Sequence, residues 1–220
     1  MAMVLVTGAN RGIGLELCRQ FRARSDTVIA VCRQQSPELE ALGARIEAGI
    51  DVTSAADIST LVSRLRGTRL DTVVHNAGVL TPDALMSLDS DAIRRQFEVN
   101  ALAPLQLTVA LLPSLQDGSK LAVVTSRMGS LNDNTSGGYY GYRMSKAAVN
   151  MAFVCLAIDL RSRKVAVGII HPGYVRTRMT GGQGDVEPSH AARGILARID
   201  ALTLETSGGF WHANGQRLPF

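Results

Sequence analysis

Short apolar runs rich in valine and isoleucine alternate along this chain with longer amphipathic stretches, and few folds accommodate that rhythm. Strands are expected near 3–7, 27–32, 46–50, 71–75, 120–125 and 165–170, with a weak seventh near 209–212. Helical stretches fall near 12–24, 54–66, 90–115, 140–162 and 188–201. Such alternation points to a parallel sheet with helices on both faces. The strands are almost wholly apolar rather than alternating, as they must be when both sheet faces are covered. With 220 residues, the chain can bury one full core but is short for two. The glycine-rich stretches at 136–138, 180–184 and 207–209 read as loops, so residues 1–220 are expected to form a single doubly wound α/β domain.

Composition removes several classes of function. The formal charge of +4 is carried almost wholly by scattered arginines, which argues against nucleic acid as a partner. No apolar run reaches the length of a membrane span. The chain enters a strand-like run at Met3, so no signal peptide is expected. Cys18, Cys32 and Cys155 show neither paired nor metal-like spacing, so reduced thiols, no metal and a cytoplasmic setting are expected.

The first strand runs into Thr7-Gly8-Ala9-Asn10-Arg11-Gly12-Ile13-Gly14, and a helix follows at once. Glycines let backbone approach a pyrophosphate without a Cβ in the way, and the helix N-terminus then faces the anion. An NAD site usually carries an acid at the end of the second strand. Here that strand ends Val31-Cys32-Arg33, with no acid. Arg33 is suited to form a fork on a 2′-phosphate, with Arg11 as a second positive charge, so NADP(H) is the expected cofactor.

Tyr142 stands four residues ahead of Lys146. Positions i and i+4 share a helix face, so the ammonium can stand beside the phenol. The pair alone is weak evidence, expected by chance in roughly one chain of this make-up in twenty. An adjacent cation favours phenolate, and bringing the pKa from about 10 to about 7 takes about 4 kcal/mol. The expectation is a general acid with a lowered pKa.

Together these features resemble the short-chain dehydrogenase/reductase family, whose motifs occur here in family order from Met3 to about Thr177. Gly8, Asn10, Arg11, Gly12, Ile13 and Gly14 match its cofactor loop, and Asp51-Val52 matches the dipeptide that meets the adenine. Asn76-Ala77-Gly78 matches the segment lining the cofactor. His75 replaces a second asparagine there, and it reads as a structural substitution rather than a base. The resemblance implies a tetrad of Asn100, Ser126, Tyr142 and Lys146. Ser126 lies sixteen residues before the tyrosine instead of about thirteen, and residues 132–138 look like a loop that absorbs the difference. Thr125 and Ser130 stand close by, but Ser126 keeps the family spacing to Gly129. Tyr139 and Tyr140 have no lysine four residues on. Pro172-Gly173, Val175 and Thr177 match the segment beside the nicotinamide. The tail from Ser207 is similar to that of small carbonyl reductases of the sniffer and C-factor type.

What the resemblance implies is a Rossmann-type oxidoreductase in which Ser126 and Tyr142 bond a carbonyl oxygen, Tyr142 gives the proton, Lys146 tunes it, and Asn100 relays through water. Met128, Tyr140, Tyr174, Met179 and a small substrate loop near 178–190 suggest a hydrophobic small-molecule ketone, aldehyde or quinone. A homodimer or homotetramer is the family default, though small carbonyl reductases also occur as monomers. A cofactor-binding sensor or signalling protein of the same fold is the alternative.

Overall fold

The computed structural model describes residues Met1–Phe220. Its elements in chain order are β1 (Met3–Thr7), α1 (Gly12–Ala23), β2 (Thr27–Val31), α2 (Pro37–Glu40), β3 (Arg45–Glu47), α3 (Ala55–Arg64) and β4 (Leu70–His75). There follow α4 (Ser90–Phe97), α5 (Ala103–Leu111), β5 (Leu115–Val124), α6 (Tyr140–Asp159), β6 (Ala166–His171), α7 (Pro188–Asp200) and β7 (Phe210–His212). All seven strands pair in parallel, in the order β3-β2-β1-β4-β5-β6-β7.

Strand residues of one parity, including Leu5, Ile29, Val73, Leu121 and Ile169, pack on α3, α5 and α6. Those of the other parity, including Val4, Val28, Val74, Ala122 and Ile170, pack on α1 and α7. Each fully buried aliphatic side chain contributes about 1.5–3 kcal/mol relative to exposure. This two-faced burial is why the strands read as continuous apolar runs. The chain steps from β1 outward to β2, then returns to β4 on the other side of β1, and such a switch point opens a crevice at the carboxyl ends of the strands.

Three segments differ from the sequence expectation. β3 occupies only Arg45–Glu47 instead of 46–50, because Gly49, with φ of 78°, breaks the regular ladder, although the Gly49 and Ile50 N–H groups still bond the carbonyls of Arg33 and Cys32. The stretch 90–115 is not one regular helix: α4 passes through a π-helical turn, Glu98–Leu102, into α5. Pro104 has no N–H to give the carbonyl of Asn100, so the ordinary ladder is interrupted there. A short 3-10 turn, Leu112–Ser114, then closes this segment, and β5 begins at Leu115, five residues before the expected 120. The short α2 was not expected, although Ser36 caps it and Pro37 opens it.

Phe153 lies fully buried at the centre of α6, with the ring of His75 edge-on at 5.7 Å. Phe153→Ala is expected to lower the unfolding free energy by about 3–5 kcal/mol in urea titration, and a loss below about 1 kcal/mol would contradict this packing.

Candidate active site

Gly8 and Gly12 take φ of 65° and 55°, which L side chains rarely adopt. A Cβ on Gly14 would overlap the Gly8 carbonyl. Arg11 caps α1 with its backbone extended and gives no side-chain bond, so the first N–H groups of α1 stay free. Asn76 donates its side-chain amide to the carbonyls of Thr7 (3.0 Å) and Gly8 (3.2 Å). The Thr7 hydroxyl accepts from the backbone of Asn76 and Ala77. Thr177 closes the cradle from the far side, its methyl 3.5 Å from where a Gly12 Cβ would stand. These residues fit a dinucleotide pyrophosphate: the cradle is backbone-walled, anion-facing, and would be filled by any added Cβ.

Beyond the cradle, the Ser36 hydroxyl bonds the Asn10 carbonyl at 3.0 Å, tying the segment after β2 to the glycine loop. That bond brings together the segment that follows Arg33 and the loop that carries Arg11. Arg33 stands 3.8 Å from Asp51 and Arg95 3.7 Å from it. Burial alone would raise the Asp51 pKa, but hydrogen bonds from Thr53 and the Arg95 and Arg33 guanidiniums overcome this and hold it below the usual range. Val52 shares a water-sized gap of about 10 Å³ with Thr7, Ala77 and Val99.

Ser126, Tyr142 and Lys146 converge at the carboxyl end of β5. Ser126 opens the 3-10 turn Arg127–Gly129 and accepts from the Met128 N–H at 3.1 Å. A Cβ on Gly129 would lie 2.7–2.9 Å from the backbone of Lys146 and Ala147, so this turn rests directly on α6. The Thr125 hydroxyl donates to Asn150 Oδ1 on α6 at 2.7 Å and adds a second tie. Lys146 donates to the Val124 carbonyl at 3.0 Å, with Nζ 5.7 Å from the centre of the Tyr142 ring. Asn100 sits in the π-helical turn and spends its side chain on both backbone groups of Val79 and on Ser145 Oγ. It makes no direct bond to Lys146. The two flank Gly78, whose Cβ would lie 3.2 Å from Asn100 Oδ1 and 3.8 Å from Lys146 Nζ.

The electrostatics correct one expectation. Burial pushes the Tyr142 pKa up to about 12, outweighing a hydrogen bond with Ser126 that favours phenolate. Burial also brings Lys146 down to about 8. The i, i+4 spacing supplies proximity, but at 5.7 Å the ammonium is committed to a carbonyl and desolvation decides the direction. Tyr142 is thus a phenol held firmly protonated.

Pro172 and Gly173 follow β6, Gly173 with φ of 95°. Val175 bridges Val186, and the Thr177 N–H donates to Thr180 Oγ1 at 3.1 Å, while the Thr180 N–H donates to the Thr177 carbonyl at 3.2 Å. The loop expected near 178–190 ends at Glu187, because Pro188 starts α7. Tyr174, just before this loop, and Met179, within it, are exposed rather than in the core; Tyr140 and Met128 are half-buried. Two contributors had no signal in the sequence. Asp83 bonds the first N–H groups of α6 from 57 residues away, and Gln96, fully buried, accepts from the Thr81 N–H.

A protein-family model described as short chain dehydrogenase matches residues 2–187. The chain is 46% identical over 221 residues to a 1-hydroxy-2-glutathionyl-2-methyl-3-butene dehydrogenase of Rhodococcus sp. (strain AD45), covering 98% of each. It is 44% identical over 154 residues to the C-signal protein of Myxococcus xanthus, covering 69% of this chain and 93% of that one. Among solved structures it is similar to the carbonyl reductase Sniffer of D. melanogaster, with a TM-score of 0.92 at 27% identity over all of both chains. It also matches an NADPH-bound carbonyl reductase from chicken fatty liver, with a TM-score of 0.90 at 28% identity over 100% and 99% of the chains.

His75 lies buried at the end of β4, with Nε2 2.9 Å from the Thr108 hydroxyl. Burial lowers its pKa to about 3. An unfolded histidine binds its proton near pH 6.5, so between there and about 3 the unfolded chain takes up a proton that the fold refuses. Stability present above pH 6.5 is therefore lost as pH falls. His171, also lowered to about 3 by burial and neighbouring cations, adds to the slope. Urea titrations should show His75→Asn losing less stability than the parent between pH 7 and 5, by about 2 kcal/mol. Parallel slopes would refute the assignment.

Proposed function

Since the chain belongs to the short-chain dehydrogenase/reductase family of nicotinamide-dependent oxidoreductases, we propose that it is an NADP(H)-dependent enzyme interconverting a carbonyl and an alcohol, with Tyr142 as proton donor in reduction. The observation that carries this reading is the convergence of Ser126, Tyr142 and Lys146 on the end of β5, beside a glycine cradle.

Gly8, Asn10, Arg11, Gly12, Ile13 and Gly14 would hold the pyrophosphate, and Asp51 and Val52 the adenine edge. Asn76, Ala77 and Gly78 would line the ribose side, with Pro172, Gly173, Val175 and Thr177 at the nicotinamide. Arg33 would take the 2′-phosphate; the absence of an acid after β2 supports NADP, as does the NADPH in the chicken carbonyl reductase. When bound, the reduced cofactor supplies the hydride.

Ser126 and Tyr142 then hydrogen-bond the substrate oxygen and stabilise the negative charge that grows on it. An alkoxide is far more basic than a phenolate, so a tyrosine near 12 still transfers its proton downhill. Lys146, largely cationic at neutral pH, stabilises the phenolate left behind and returns a proton to it. Asn100 would hold the relay open by fixing Val79, the neighbour of the Gly78 that lies against Lys146, with water completing the path.

The substrate we assign is a small-molecule carbonyl on a largely apolar skeleton, received by Tyr174, Met179 and the loop 178–187. The Rhodococcus relative is named for a hydroxyl carbon on a branched alkene bearing a glutathionyl group, so such conjugates belong in the test panel. The similarity to the C-signal protein favours a second reading, a cofactor-binding signalling protein with little turnover. The intact tetrad weighs against it. Met144, Met151 and Ile158 stand exposed at seven-residue spacing on α6, a stripe suited to a homodimer contact. No helix is long and apolar enough to cross a membrane, and the free thiols fit a cytoplasmic protein.

Oxidation of NADPH should be seen with ketones, aldehydes or quinones, or reduction of NADP⁺ with hydroxyalkyl glutathione conjugates. Tyr142→Phe is expected to lower kcat by at least about 100-fold while NADPH still binds, and near-normal turnover would sink the reading. Tight NADPH binding without turnover of any compound would favour the signalling reading. Arg33→Ala should raise KM for NADPH by about 10- to 100-fold and leave that for NADH within about twofold. Equal changes for both cofactors would show that Arg33 does not read the phosphate.

A further inference from the structure

The segment after β4 is held at every second residue. Asn100 Oδ1 accepts from the Val79 N–H at 2.8 Å, and Gln96 Oε1 accepts from the Thr81 N–H at 3.0 Å. Asp83 then reaches α6: its carboxylate accepts from the N–H groups of Tyr140 and of Gly141, the latter at 2.9 Å, and its own carbonyl accepts from the Tyr139 N–H at 3.1 Å. The residues at 79, 81 and 83 thus link the π-helical turn, α4 and the start of the catalytic helix.

That start has no cap of its own. Tyr139 occupies the cap position with φ of 51° and offers no side-chain bond. The preceding Gly137 and Gly138 both take φ of 63° and impose little direction on the chain. The first N–H groups of a helix need acceptors, and here Asp83 supplies them from a distant loop. Gly141 is pressed so closely on α4 that a Cβ would meet Gln96 Nε2 and the backbone of Ile93. Tyr142 is the next residue.

We infer that Asp83 is a positioning residue: by capping α6 it sets where the Tyr142 hydroxyl stands relative to Ser126. This rests on the reading of Tyr142 as proton donor. The carboxylate also offsets the positive end of α6, which favours the protonated phenol that reduction requires.

A double-mutant cycle on the cofactor-loaded enzyme tests it. Asp83→Ala should lower kcat by about 10- to 100-fold, the cost of a small misplacement, while the NADPH Kd from fluorescence titration stays within about twofold. Asp83→Asn keeps one of the two acceptor oxygens and should recover part of the rate, falling between Asp83→Ala and the parent. In a Tyr142→Phe background, Asp83→Ala should have no further effect on residual turnover. Hydrogen exchange with NADPH bound should show amides 139–142 losing protection in Asp83→Ala and losing less of it in Asp83→Asn. The inference is overturned if Asp83→Ala leaves kcat unchanged, if it weakens NADPH binding in step with kcat, or if it slows both backgrounds equally. Near-normal turnover by Tyr142→Phe itself would instead remove the functional reading, and the inference with it.

Discussion

Asn76 carries more of this structure than its size suggests. Its amide bonds the carbonyls of Thr7 and Gly8, while the Thr7 hydroxyl receives the backbone of Asn76 and Ala77. These bonds join β1 to β4 at the switch point, where the chain changes direction across the sheet and the two strand ends part. A crevice is useful only if its walls keep their distance. Here the walls are backbone on both sides, and a buried carbonyl left without a partner would cost about 1–3 kcal/mol. The glycine loop, the free start of α1 and the placement of Gly78 between Asn100 and Lys146 all depend on that junction.

The site beside it is governed by exclusion of water. Lys146, Tyr142 and Asn100 are buried, and Lys146 and Asn100 spend their polar groups mostly on main chain. Burial therefore disfavours charge on Tyr142 and Lys146. Tyr142 stays protonated, Lys146 loosens its proton, and small displacements of either change the energetics strongly because little solvent screens them.

Much of this could be read in the residue order, and the parts that could not share a cause. Val28-Ile29-Ala30-Val31 is legible as a covered strand because burial on both faces leaves no room for polar alternation. Gly8, Gly12 and Gly14 are legible because backbone approach demands them. The direction of the Tyr142 pKa was not, since i, i+4 spacing reports nearness and says nothing of desolvation. The π-helical turn was missed because Pro104 shows an interruption but not how the chain absorbs it. Asp83 looks like any loop aspartate, for its partners lie 57 residues away. β3 is shorter than its apolar run because Gly49, at positive φ, interrupts the regular ladder.

The contact between Gly129 and the Lys146 turn has a consequence for how such enzymes can diversify. Serine and lysine are locked in register by backbone touching backbone, so the intervening residues 131–138 are relieved of that duty and run outward over the surface. The sixteen-residue interval between Ser126 and Tyr142 is accommodated in this exposed stretch. The same stretch is the natural place to graft new recognition sequences: a designer can exchange it as a cassette, provided Gly129 and the first turn of α6 are left intact.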